Sequence, residues 1–360
     1  MTVPGEGAGA IPQPATQQEI SATPLWHLYD YDLSHQTFTL MRIEEYLYHE
    51  ASFLDSRILE YACPSVRYEL RHLEQMFPRL GDDRAPMGFI FHVGHCGSTL
   101  LSRALAVSPR VLPFREPLTL RNLSADHREL DTPLSFMARP EWDWLLTTVL
   151  DSLARRFHHG QVSVVKATST GNNLIAPVLE ESPGHRALLL YLPLEVYLAT
   201  MLGKRKEGGD LWTQARTRMR DWMGIEAEPS FSLHELQAAH FAVLSWITSM
   251  HHMIAARDRY AERVAMLDFE RLLSNPDRHL LEAASLFGID GDSVSIVERF
   301  PEISSGYSKR PDKRYTPETR VQLLNLSRDE HGADIRIGLD WARSLIARSP
   351  SLVALGEYLE

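Results

Sequence analysis

Along the chain, short apolar runs alternate with stretches in which apolar positions recur at three- and four-residue spacing. The runs at 87–93 (MGFIFHV), 111–114 (VLPF), 162–166 (VSVVK), 187–192 (ALLLYL) and 263–268 (RVAMLD) have strand length and little polar alternation. That is the pattern of strands buried on both faces. Helical spacing predicts helices at 99–107, 142–156 and 173–180, over most of 211–259 with a break at 228–232, and at 277–287, where Gly288 is the stop. Strands alternating with helices imply an α/β fold of three layers, with a mostly parallel central sheet covered on both faces. Ahead of it, 38–41 predicts a short strand, 46–59 a helix, and 64–76 (PSVRYELRHLEQM) an amphipathic helix started by Pro64. Residues 1–20, rich in Gly, Pro and Gln, are expected as a disordered tail, 21–86 as a helical N-terminal extension, and 87–360 as the main domain with a helical insertion at about 205–260.

Composition narrows the function. The net charge of −10 opposes a nucleic-acid surface, which rests on Lys and Arg neutralising phosphates. No run approaches the length of a membrane span, and the N-terminus lacks the basic and apolar regions of a secretory signal. Cys63 and Cys96 are the only cysteines, so neither a disulfide framework nor a zinc site is expected and the cytoplasm is the simplest setting. His158 with His159 and His251 with His252 are adjacent pairs, poorly placed for a shared metal, and no metal is expected. Oligomeric state has no signature here.

The strand at 87–93 runs directly into Gly94, His95, Cys96, Gly97, Ser98 and Thr99, and then into a helix. A helix start leaves N–H groups unpaired and carries partial positive charge, so an oxyanion is its natural guest. The two glycines permit close backbone approach, and Ser98 and Thr99 add hydroxyl donors. The alternative is an ordinary strand–helix corner whose glycines serve packing. The nucleoside-triphosphate loop G-x-x-x-x-G-K-[ST] is not matched: the glycines are too close and no Lys precedes Ser98, which disfavours a kinase.

The loop resembles the donor loop of the sulfotransferase superfamily, roughly P-[KR]-S-G-[ST]-[ST]-[LW], with His95 and Cys96 at the basic and serine positions. Two further stretches resemble the same family: Arg115, Glu116 and Pro117 look like the R-E-P segment of bacterial members, and 264–276 followed by LLEAASLFGID looks like its late strand and helix. The resemblance covers about 87–315. It implies a P-loop-like donor site for 3′-phosphoadenosine-5′-phosphosulfate, used as donor co-substrate without a metal. It also implies sulfuryl transfer to a hydroxyl or amine of a small molecule or glycan. The family's 3′-phosphate motif, about R-[DN]-P-x-[DE]-x-x-x-S, falls on 191–199, where Tyr191 replaces the Arg and Ala199 the Ser. Lys204, Arg205 and Lys206, or Lys309, Arg310, Lys313 and Arg314, are the cations placed to substitute. A non-catalytic member that binds an anionic ligand or a protein is the alternative that this departure favours.

Sulfuryl transfer needs in-line placement, charge stabilisation and a base, much as phosphoryl transfer does. Glu116, at a strand end, is the candidate base; the alternative is a capping or salt-bridging carboxylate beside Arg115. His95 is a second candidate, as acid or base, or else a loop filler. Lys166 ends the third strand, where open α/β sheets face their ligands, and is expected to stabilise developing charge or to snorkel. Arg103, in the helix after the loop, is expected at a phosphate or on the surface. Cys96 at a helix start is either an activated thiol or a packed one. His92 is expected as a structural residue of its strand.

Overall fold

The computed structural model describes residues 17–81, 84–203, 210–307, 310–314 and 316–359. Its N-terminal part holds α1 (Gln17–Ala22), β1 (Trp26–Asp32), β2 (Thr37–Arg42), α2 (Glu45–Glu50), a 3-10 turn (Ser56–Tyr61), β3 (Ser65–Glu69) and α3 (Leu73–Met76). The main domain follows with β4 (Gly88–His92), α4 (Ser98–Leu105), β5 (Val111–Arg115), α5 (Leu118–Glu129), α6 (Arg139–Leu153), β6 (Val162–Lys166), a 3-10 turn (Ser169–Leu174), α7 (Ile175–Glu181) and β7 (Arg186–Tyr191). It continues through α8 (Leu194–Gly203), α9 (Asp210–Ile225), α10 (Ala238–Arg259), β8 (Val264–Asp268), α11 (Phe269–Ser274), α12 (Pro276–Leu286) and α13 (Ser293–Ser304). A hairpin, β9 (Gly306–Tyr307) with β10 (Arg310–Arg314), then leads to the long α14 (Pro317–Arg348).

Five parallel strands form the central sheet in the order β5-β6-β4-β7-β8, flanked by helices. β4 and β5 are buried at every position, which is why they read as unbroken apolar runs. The chain runs from β4 to the edge strand β5, returns to β6 between them, and then crosses β4 to β7 and β8 on the other side. The two directions part at β4, and the carboxyl end of such a strand, here between the ends of β6 and β7, is where open parallel sheets take their ligands. Among the described residues no helix is long and apolar enough to cross a membrane.

The N-terminal extension departs from expectation. It has short helices, but its centre is an antiparallel meander, β1-β2-β3. The helix expected over 64–76 is instead β3 followed by a 3-10 turn and α3. The reason is period: Val66 and Tyr68 are half-buried while Ser65, Arg67 and Glu69 are exposed, and Tyr68 stacks on its register partner Phe38 at 5.5 Å. The helix expected over 46–59 breaks after Glu50, and a separate 3-10 turn is capped by the Asp55 carboxylate. α1 begins within the expected tail and buries Ile20.

Candidate active site

The loop after β4 is shaped by side chains as well as by glycines. His92, the last residue of β4, accepts the Gly94 N–H on Nδ1 at 3.0 Å and donates from Nε2 to the Ala167 carbonyl at 3.0 Å. Those two bonds fix its tautomer and tie the loop to the end of β6. Asn172 donates to the His92 carbonyl at 3.1 Å. Gly94, His95 and Gly97 have φ of 93°, 52° and 73°, in the left-handed region. Gly97 is also spatially required: a Cβ there would lie 2.0 Å from Cε2 of Phe269. α4 starts at Ser98 with no side-chain cap on its first N–H groups, the condition under which a helix start can take an anion.

Ser98 and Thr99 are buried at this helix start. Cys96 is turned away from it, with Sγ donating to the Leu190 carbonyl at 3.4 Å. Burial pushes its thiol up to about 11, so it is a packed neutral thiol and offers the crevice only its backbone.

Beside the loop, the ends of β5 and β6 bring two expected residues together. Lys166 Nζ donates to Glu116 Oε1 at 2.5 Å, and the Glu116 N–H donates to the Lys166 carbonyl at 2.7 Å. Lys166 is 1% exposed, so its ammonium lies inside the wall of the site rather than snorkelling into solvent. Glu116 has φ of 56° and His95 52°, a conformation that costs a non-glycine residue on the order of 1–2 kcal/mol. Two of the candidate catalytic residues thus carry backbone strain of the kind that concentrates at functional sites. The other oxygen of Glu116 accepts from Arg57 Nη2 at 2.7 Å, a partner contributed by the N-terminal extension.

Arg115 does not pair with Glu116. Its buried guanidinium donates to the carbonyls of Tyr48 (3.1 Å), His49 (3.1 Å) and Ala51 (2.9 Å) and to Ser102 Oγ (3.1 Å). These carbonyls lie at the end of α2, where orphan acceptors and a partial negative charge favour a cation. Burial pulls the guanidinium down to about 9, still charged at neutral pH. Arg103 bonds to Ser52 Oγ at 2.9 Å and to the Glu50 carbonyl, so the described contacts turn it to the same segment and not to a phosphate. Both arginines pin the extension to the carboxyl edge of the sheet.

The far side of the crevice is built differently from the motif it resembles. Tyr191 packs edge-on against Tyr358 at 5.1 Å, and burial pushes its phenol up to about 12. Ala199 is 1% exposed beneath α14, its carbonyl accepting from Ser327 Oγ at 2.6 Å. Glu195 is held by a bidentate pair with Arg328. Lys204, Arg205, Lys206 and Lys309 lie outside the described residues, and Arg310 opens β10. The sequence did not point to Arg320, in the first turn of α14. It is buried, pairs with Glu270, lies 5.1 Å over the Phe269 ring, and leaves Nε without a partner.

Nor did it point to Arg57, Phe53 or Phe269. Arg57 and Phe53 belong to no local motif, and Phe269, though it falls within 264–276, meets Gly97 from a distant element. A phosphate-bearing donor fits the loop side, with its crowded Gly97, uncapped helix and adjoining Lys166. Tyr191 and Ala199 supply no cation on the far side.

No family model matches the chain, and no curated protein matches it. Solved structures similar to it include the sulfotransferase domain of the Synechococcus PCC 7002 olefin synthase, 16% identical, covering 67% of this chain and 94% of that one at a TM-score of 0.37. A sulfotransferase from Mycobacterium tuberculosis is 14% identical, with 77% and 82% covered and a TM-score of 0.38. One from Alicyclobacillus acidocaldarius is 15% identical, with 74% and 98% covered and a TM-score of 0.33. The roles of the residues rest on the geometry above.

Proposed function

We propose that the chain is a sulfotransferase that moves a sulfuryl group from 3′-phosphoadenosine-5′-phosphosulfate to a hydroxyl or amine of a small molecule or glycan. The observation that carries this is the Glu116–Lys166 pair, set on adjacent strand ends beside an uncapped helix start. The donor supplies an activated sulfur and a phosphate leaving group. Glu116 takes the proton of the acceptor hydroxyl as its oxygen bonds to sulfur and the sulfur–oxygen bond to phosphate breaks. Lys166 and the N–H groups at the start of α4 stabilise the charge that collects on the departing phosphate. His95 is assigned as donor to the bridging oxygen. Cys63 and Cys96 are free thiols, which suits a cytoplasmic enzyme.

The second reading, a non-catalytic anion binder, draws on Ala199 under α14 and Tyr191 against Tyr358. Calorimetry with adenosine 3′,5′-bisphosphate separates the two. Saturable binding that is weakened by Lys166→Met supports the sulfotransferase. No heat at millimolar bisphosphate, with retained binding of inorganic sulfate, supports the second reading.

A further inference from the structure

The N-terminal extension lies ahead of every motif discussed above, yet it contributes side chains to the Glu116 carboxylate. Asp55 caps the 3-10 turn by accepting the Arg57 N–H at 3.1 Å, and it also accepts from Arg57 Nε at 2.7 Å and Nη2 at 2.6 Å. The guanidinium is thereby held as a fork whose Nη2 also reaches Glu116 Oε2 at 2.7 Å. Phe53 supports this from below, its ring centroid 3.2 Å from Arg57 Cζ and 5.6 Å from Lys166 Nζ. The segment itself is anchored: the Leu54 N–H donates to the Arg115 carbonyl at 2.7 Å, and Arg115 and Arg103 hold residues 48–52.

We propose that Arg57 is a positioning residue for the base, and that the segment from Phe53 to Arg57 is a working part of the catalytic site. This rests on Glu116 being that base. The charged groups facing its carboxylate include Lys166 from β6 and Arg57 from the 3-10 turn, with Asp55 behind Arg57. Arg115, its neighbour on β5, is committed to the end of α2. With one cation on each oxygen, the carboxylate is fixed in orientation. Arg57 is partly exposed, with 45% of its side chain accessible, so solvent reaches this side of the pair.

The test titrates Glu116 itself. Full-length protein carrying 13C at the glutamate side-chain carboxyls is followed by NMR against pH, with Glu116→Gln assigning the signal. Arg57→Met is expected to raise the Glu116 midpoint by at least one pH unit, a tenfold gain in proton affinity, and to raise the acid limb of kcat/KM with it. Arg57→Lys should return most of the shift. Arg57→Gln, which keeps a donor and drops the charge, reads the same effect should the Met variant fold poorly. A midpoint unmoved in folded Arg57→Met or Arg57→Gln overturns the proposal. A shifted midpoint in a protein that transfers no sulfuryl group keeps the clamp and defeats the proposed function instead.

Discussion

Gly94→Ala and Gly97→Ala are the same chemical change three residues apart, and the structure separates their costs. Both glycines have positive φ, 93° and 73°, so alanine at either site is strained by on the order of 1–2 kcal/mol. At Gly94 that is nearly all, because an added Cβ would meet Ser169 at 3.4 Å, an ordinary contact. At Gly97 the Cβ would fall 2.0 Å from Cε2 and 2.2 Å from Cζ of Phe269, whose ring is buried. Overpacking of that kind adds roughly 1–3 kcal/mol. Gly97→Ala should therefore cost about 2–5 kcal/mol of stability. The loop has to yield if Phe269 does not, and displacement of the α4 start by about 1 Å lowers transfer roughly a hundredfold. Urea denaturation of the two variants in parallel, with a sulfuryl-transfer assay on each, measures both effects. Gly97→Ala being no more costly than Gly94→Ala would refute the packing account of the loop.

Arg115→Met should destabilise the protein by about 3–5 kcal/mol, since it strands buried carbonyls. Limited proteolysis of the folded variant should then cut within 48–56, and the wild type should resist there. His27 is buried between the rings of Tyr48 and Phe114, and burial lowers its imidazole to about 4. The unfolded chain, at about 6.5, binds its proton first, so the contribution is full above pH 6.5 and is lost as pH falls from 6.5 toward 4. Between pH 7 and pH 5 this amounts to about 2 kcal/mol, and His27→Phe should flatten the urea stability profile by that amount. An unchanged slope in the variant would show that burial does not shift the ring's titration.

The main sheet was legible because its strands are buried on both faces, which leaves apolar runs such as ALLLYL. The loop was legible because a strand, two glycines and a helix fall in immediate succession. The extension was harder. β1 (WHLYDYD) mixes acidic and aromatic residues, and Pro64 mimicked a helix start where a two-residue period rules. Glu116 was named as a candidate, but its pairing with Lys166 and Arg57 was not. Lys166 is fifty residues later, and Arg57 is in a 3-10 turn fifty-nine residues earlier; no local spacing links either to the carboxylate. Arg115 looked like its natural partner and proved to serve α2. What composition and period cannot show is which distant side chain fills a given cavity.

In the proposed reaction Glu116 accepts the acceptor's proton beside the loop that holds a phosphosulfate donor. The most direct test is transfer of labelled sulfuryl from the phosphoadenosine donor to an acceptor library, by wild type and by Glu116→Gln, with bisphosphate affinity measured on both. The account predicts transfer by wild type, a loss of about 10²–10⁴ in the variant, and bisphosphate affinity within a few-fold. Equal transfer by both proteins would contradict it.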